Sequence, residues 1–139
     1  MKSTTKMTIL AAALAVVSGV ASAQPMKANI PFSFRFGGNV YTAGSYTVDV
    51  RDANMKVFLY NRDTRTGAIA LPQSPVNPAP EWIAKGDPVL EFTCGSSRCE
   101  LSRLWTGGGN TALAMRHHKL GRDEVATIRL IPLSRSNGE

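Results

Sequence analysis

The stretch Ile30-Pro31-Phe32-Ser33-Phe34-Arg35-Phe36 sets a large apolar side chain at every second position, with Pro31, Ser33 and Arg35 between. A period of two marks a strand with one buried face. Pro31 brings no N–H to a ladder, so the start of this strand is expected at a sheet edge or beside a bulge. Gly37-Gly38-Asn39 then supplies a turn able to take positive φ. Val40 to Thr42 is a short segment before a second turn at Ala43-Gly44, after which Tyr46, Val48 and Val50 alternate with Ser45, Thr47, Asp49 and Arg51 as another half-buried strand. Asp52-Ala53-Asn54 turns the chain into the apolar run Lys56 to Asn61, Arg62 to Gly67 is a polar turn, and Ala68 to Leu71 is a short strand ended by Pro72.

The second informative stretch holds the two cysteines. Val89 to Thr93 and Glu100 to Trp105 read as strands, and Gly95-Ser96-Ser97-Arg98 is a four-residue hairpin loop between them. With Cys94 facing Cys99, Phe92 falls opposite Leu101 on one face and Thr93 opposite Glu100 on the other, so the apolar and polar faces agree. Directly opposed residues in an antiparallel ladder lie about 4.5–5.5 Å apart at Cα, within reach of a disulfide. The alternation breaks at Arg103 and Leu104, where a bulge is expected. After the turn Gly107-Gly108-Gly109-Asn110 come Thr111 to Arg116, a polar turn over Lys119 to Glu124, and a last alternating stretch. In it Ala126, Ile128 and Leu130 share one face, Thr127 and Arg129 the other, before a polar tail from Ser134 to Glu139. No stretch carries a helical period beyond a turn around Glu81 to Ala84. The expectation is an all-β fold, a small antiparallel β-barrel or β-sandwich of about seven to nine short strands.

Two of these segments also carry a resemblance. Ile30 to Gly38, followed by Ala43-Gly44-Ser45-Tyr46-Thr47-Val48, resembles a group of small exported bacterial β-proteins that open with Pro-Phe-x-Phe, a Gly-rich turn and Pro-Ala-Gly-x-Tyr-x-Val. Leu104-Trp105-Thr106-Gly107-Gly108 is similar to that group's later Trp-Thr-x-Gly segment. Thr42 stands where the group places proline. The resemblance covers the first third of the domain and one short island. Its motifs are turn and core residues, so it implies a fold and carries over no catalytic residue.

Ahead of the domain, Met1 to Lys6 holds two lysines and no acid, Met7 to Val17 is apolar apart from Thr8, and Ala21-Ser22-Ala23 offers small residues for cleavage before Gln24. This is the pattern of a secretory signal peptide over residues 1–23. It leaves residues 24–139 as a single β domain with a Pro-rich loop at 73–88, exported to the periplasm or the medium. A membrane anchor needs about 20 apolar residues, and strands that cross a bilayer about nine to eleven; no segment here meets either length, so the domain is not expected to be membrane-embedded. In an oxidising compartment Cys94 and Cys99 read as a structural disulfide. A redox pair more typically has two intervening residues beside a helix N-terminus, and zinc ligation by the cysteines with His117 and His118 is disfavoured because adjacent strand residues point to opposite faces.

Of the 16 Lys and Arg, Lys2 and Lys6 lie in the leader, so the domain carries 14 basic against 10 acidic side chains. The basic residues are spread along the chain, which together with export argues against nucleic acid and leaves only nonspecific attraction to anionic envelope polymers. A domain this short has room for one core and none for separate cofactor and substrate domains, so no cofactor or metal is expected.

Candidate chemistry is sparse. His117 and His118, flanked by Arg116 and Lys119, are the only imidazoles available as a general base; a small hydrolase built on them is the third reading of function. Glu81, Asp87 and Glu91 lie near Trp82, a pattern compatible with sugar binding, although a glycosidase cleft is too long for this chain. The candidate contact surface is the Pro-rich loop with Trp82, Glu81 and Tyr60 as ligand-binding residues, against the favoured alternative that both aromatics pack in the core or the hairpin. The first reading is thus a noncatalytic exported domain binding an envelope protein or polymer. The second is an assembly component that self-associates through sheet edges.

Overall fold

The computed structural model describes residues 25–51 and 55–135. The expected leader at 1–23, the turn at 52–54 and the end of the tail at 136–139 lie outside these residues. Twelve strands and one short helix make up the described chain: β1 (Met26–Ile30), β2 (Phe34–Phe36), β3 (Asn39–Tyr41), β4 (Gly44–Arg51), β5 (Lys56–Asn61), β6 (Thr66–Ala70), β7 (Ser74–Val76), α1 (Pro80–Lys85), β8 (Val89–Cys94), β9 (Cys99–Trp105), β10 (Ala112–Ala114), β11 (Thr127–Pro132) and β12 (Ser134–Arg135). The fold is all-β. The expected count of seven to nine is corrected to twelve, because β2, β3, β7, β10 and β12 are two or three residues long, too short for alternation to reveal.

The strands form two sheets, neither of them closed. The first runs β12-β1-β4-β5-β6; the second runs β11-β8-β9-β10-β7, with β2 and β3 attached through β9. The aromatic stretch explains how one chain serves both. The β1–β4 ladder ends at Ile30 opposite Gly44, and Pro31, with no N–H to continue it, begins the crossing to the second sheet. There Phe34 and Arg35 pair with Cys99 and Glu100 of β9 in the molecule's parallel ladder, a departure from the all-antiparallel expectation. What reads in sequence as one strand is therefore two, and Ile30, Phe34 and Phe36 are buried in a core shared by both sheets while Phe32 packs against it. Phe34 meets the rings of Phe92 and Tyr46 edge-on at 5.4 and 5.1 Å, a favoured aromatic geometry. The chain crosses back at Leu133, between β11 and β12.

Gly44 is required by a close approach. A β-carbon there would lie 3.0 Å from Nδ2 of Asn61, a fully buried side chain whose Oδ1 accepts from the backbone N–H groups of Asp63 and Thr64 and so fixes the turn into β6.

The cysteine hairpin has the expected register: Cys94 faces Cys99 in a disulfide with Cα atoms 4.0 Å apart, Thr93 faces Glu100 and Phe92 faces Leu101. Closing so short a loop stabilises the fold by about 2 kcal/mol on the loop-entropy model. The bulge falls one residue before its expected place. Glu91 pairs with Arg103 and Phe92 with Leu101, which leaves Ser102 as the extra residue of β9. Its buried hydroxyl donates to the Glu91 carbonyl at 3.0 Å and lies 3.2 Å from Oε1 of the same residue.

The Pro-rich segment is more ordered than its composition suggests. Pro75 does enter a ladder, opposite Leu113, on the terminal strand of the second sheet, where a missing N–H costs least. Pro80 stands in the first turn of α1 and Gly86, at φ 75°, caps its end, the usual placement of these residues around a helix. Trp82 on α1 packs with Val89, Trp105 and Ala112 as a second small core. No helix among the described residues is long and apolar enough to cross a membrane.

Candidate functional site

Alternation along β9 puts Leu101 into the core and Glu100 on the opposite face of the sheet, beside Thr93. Glu100 is nonetheless only 8% exposed, and a buried carboxylate requires donors. The segment following β10 supplies them. The backbone N–H of His118 donates to Oε2 at 3.0 Å, and its Nδ1 lies 2.9 Å from Oε1. A carboxylate only accepts, so Nδ1 is the donor, on a largely exposed ring. His117 turns away and donates from Nδ1 to the Met115 carbonyl at 3.2 Å.

This clasp holds the segment 118–124 over the hairpin. Glu124 accepts from the Ser96 hydroxyl at 3.1 Å and from the Gly121 N–H at 3.4 Å. Gly95 makes the fit possible, since a β-carbon there would meet Leu120 Cδ2 at 2.8 Å and Glu124 Oε2 at 3.0 Å. Between segment and hairpin lies an open cavity of about 440 Å³, within the range of small-molecule sites. Its wall holds Arg98, Lys119, Arg122 and Asp123 besides Thr93 and the Glu100–His118 pair. Glu100 and Glu124 are engaged by local donors, whereas the three cations form no ion pair among the described residues. Asp123 is likewise without an ion pair among these residues, so the uncommitted charge is three cations against one carboxylate, a positive balance. Among the described residues no group of three or more His, Cys, Asp and Glu side chains is placed to hold a metal ion.

The residues expected to bind ligand are dispersed. Trp82 is 5% exposed, and the Arg103 guanidinium covers its ring at 4.5 Å; it is a packing residue and not an open platform. Arg103 in turn donates two hydrogen bonds to buried Glu91, at 2.8 and 2.6 Å. That pairing raises the Arg103 pKa above the ordinary guanidinium value, with burial opposing it. Glu81 is exposed on α1, and Tyr60 is 43% exposed on β5 of the other sheet, its ring lying over Gly67. The structure does not bring the three into one site. The cavity residues Arg98, Glu100, Lys119 and Arg122 were not singled out in sequence as a site; the signal was the polar position of Glu100 in the predicted hairpin register, but its partner lies 18 residues on, in irregular chain.

No family model matches the chain, and no match is found among curated proteins or solved structures.

Proposed function

We propose that this protein is an exported, noncatalytic binding domain whose ligand site is the cavity between the disulfide hairpin and residues 118–124, and that it takes an anionic ligand such as an acidic segment of an envelope polymer. One observation carries this reading: Arg98, Lys119 and Arg122 converge on a preformed cavity whose own buried carboxylate, Glu100, is already satisfied by His118. In this role the histidine is a structural clasp. The hydrolase reading gives His118 Nε2 the part of a base, which requires a nucleophilic hydroxyl or thiol beside it; no such hydrogen bond is formed among the described residues. The disulfide and the leader-like residues 1–23 support export, and the resemblance to small exported β-proteins belongs to the same proposal. The finer architecture is read as an open sandwich, since both sheets face one core.

Calorimetric titration with a short oligogalacturonate, against the uncharged oligosaccharide of equal length, tests the reading. Saturable binding of the acidic chain that weakens with salt and about tenfold in Arg122→Ala is expected. Equal binding of the neutral sugar, or no saturation, contradicts it.

A second reading has its own observation. β6 ends the first sheet, and Thr66 to Leu71 contains no charge and no proline, two of the usual protections of a free edge, although the turn at Gly37 lies against Ile69 and Ala70. Ile69 and Leu71 are about 60% exposed beside it. Self-association through this edge predicts a mass that rises with concentration in light scattering and is monomeric in Ile69→Lys; a constant monomer mass rejects it.

A further inference from the structure

β9 is covered along its second edge by two different strands. β2 pairs with it at Cys99 and Glu100, and β10 at Arg103 and Leu104. Between them, at Leu101 and Ser102, no strand lies alongside; a single backbone bond, Met115 N–H to the Ser102 carbonyl at 2.8 Å, spans the notch. Over the notch lies a second cavity, of about 480 Å³. Its floor is Phe36, Leu101 and Met115, all core residues, and its rim is Ala70, Leu71 and Pro72, where the chain leaves the first sheet. One cation stands at the mouth: Arg116, exposed and without an ion pair among the described residues. This cavity shares no lining residue with the polar one; the two lie on opposite faces of β9.

We propose that this notch binds a fatty acid, its alkyl chain laid along Ala70, Leu71 and Pro72 above the closed floor and its carboxylate paired with the Arg116 guanidinium. The chemistry of the lining selects the ligand. The exposed Leu71 side chain, with Ala70 and Pro72 beside it, offers an alkyl chain apolar surface to cover, and the volume of the cavity lies in the range of small-molecule sites. A single guanidinium at the open end matches a planar carboxylate in charge and in donor geometry. A neutral chain of the same length buries the same area but leaves Arg116 without its anion. The proposal stands independently of the polar-cavity reading, since the two sites have no residue in common.

The test is a titration of the protein, purified after export, with dodecanoate and separately with dodecanol, each kept below the concentration at which it aggregates. Dodecanoate is expected to bind saturably. Arg116→Ala weakens it about tenfold, the loss of one charge-assisted pair, and leaves dodecanol unchanged. Leu71→Asp sets a carboxylate on the exposed rim and weakens both ligands. Both substituted positions are exposed, and an unchanged thermal transition verifies that each variant folds. Three results would overturn the proposal: no saturable binding of dodecanoate, binding indifferent to both variants, or binding that responds to Arg116→Ala but not to Leu71→Asp, which would mark an ion pair on the surface.

Discussion

Arg103 touches three groups at once: both carboxylate oxygens of Glu91 and the face of Trp82. The hydrogen bonds to Glu91 raise its pKa against the opposing effect of burial. Removing the charge while keeping an apolar stem, Arg103→Met, leaves Glu91 buried with only the Ser102 hydroxyl. A broken buried pair costs about 3–5 kcal/mol; because the Arg103 side chain is one-third exposed, solvent screening brings the expected loss to about 2 kcal/mol, measured by urea unfolding. Glu91→Gln in the same background is expected to recover part of it. Arg65 offers the opposite sign. It holds φ 54° in the turn between β5 and β6, a conformation that disfavours a side chain, so Arg65→Gly is expected to stabilise the domain by up to about 1 kcal/mol and to raise the thermal midpoint. Single residues were unevenly legible in sequence. Cys94 and Cys99 announce each other through their spacing, whereas Trp82 shows no period that would reveal its burial, because the groups packing on it come from β8, β9 and β10.

At the scale of elements, the hairpin and the segment that covers it form one unit, and Gly95 is the point of contact. Gly95→Ala places a methyl group against the flexible ends of Leu120 and Glu124. These can swing aside, so folding stability is expected to change by less than about 1 kcal/mol. The segment itself loses its seat. Trypsin cleavage after Lys119 and Arg122 is expected to accelerate several-fold, with anion binding weakened alongside; unchanged cleavage means that the segment does not depend on this contact. The hairpin was readable because alternation and the cysteine pair specify the same register. Helix α1 was signalled only by Pro80 and Gly86 at its two ends, punctuation that is easily absorbed into a loop with several prolines. β7 was hidden because Pro75 argues against a strand until the strand is known to lie on an edge.

The whole molecule follows from two crossings. Pro31 ends one ladder and sends the aromatic stretch into the second sheet, and Leu133 returns the chain to the first. The sequence carries the apolar faces that make both sheets share a core, but not which strands become neighbours: the parallel β2–β9 pairing joins segments more than 60 residues apart, and no local pattern encodes it. β9 turns Glu100 toward the polar cavity and Leu101 toward the notch, so one strand separates the two cavities. Binding at the cavity beside the disulfide hairpin is read residue by residue in a ¹H–¹⁵N spectrum of the protein titrated with short oligogalacturonate. Saturable shifts concentrated at Thr93, Arg98, Glu100 and residues 118–124 are expected. Shifts spread evenly over the exposed arginines, or confined to β6 and the notch, would contradict it.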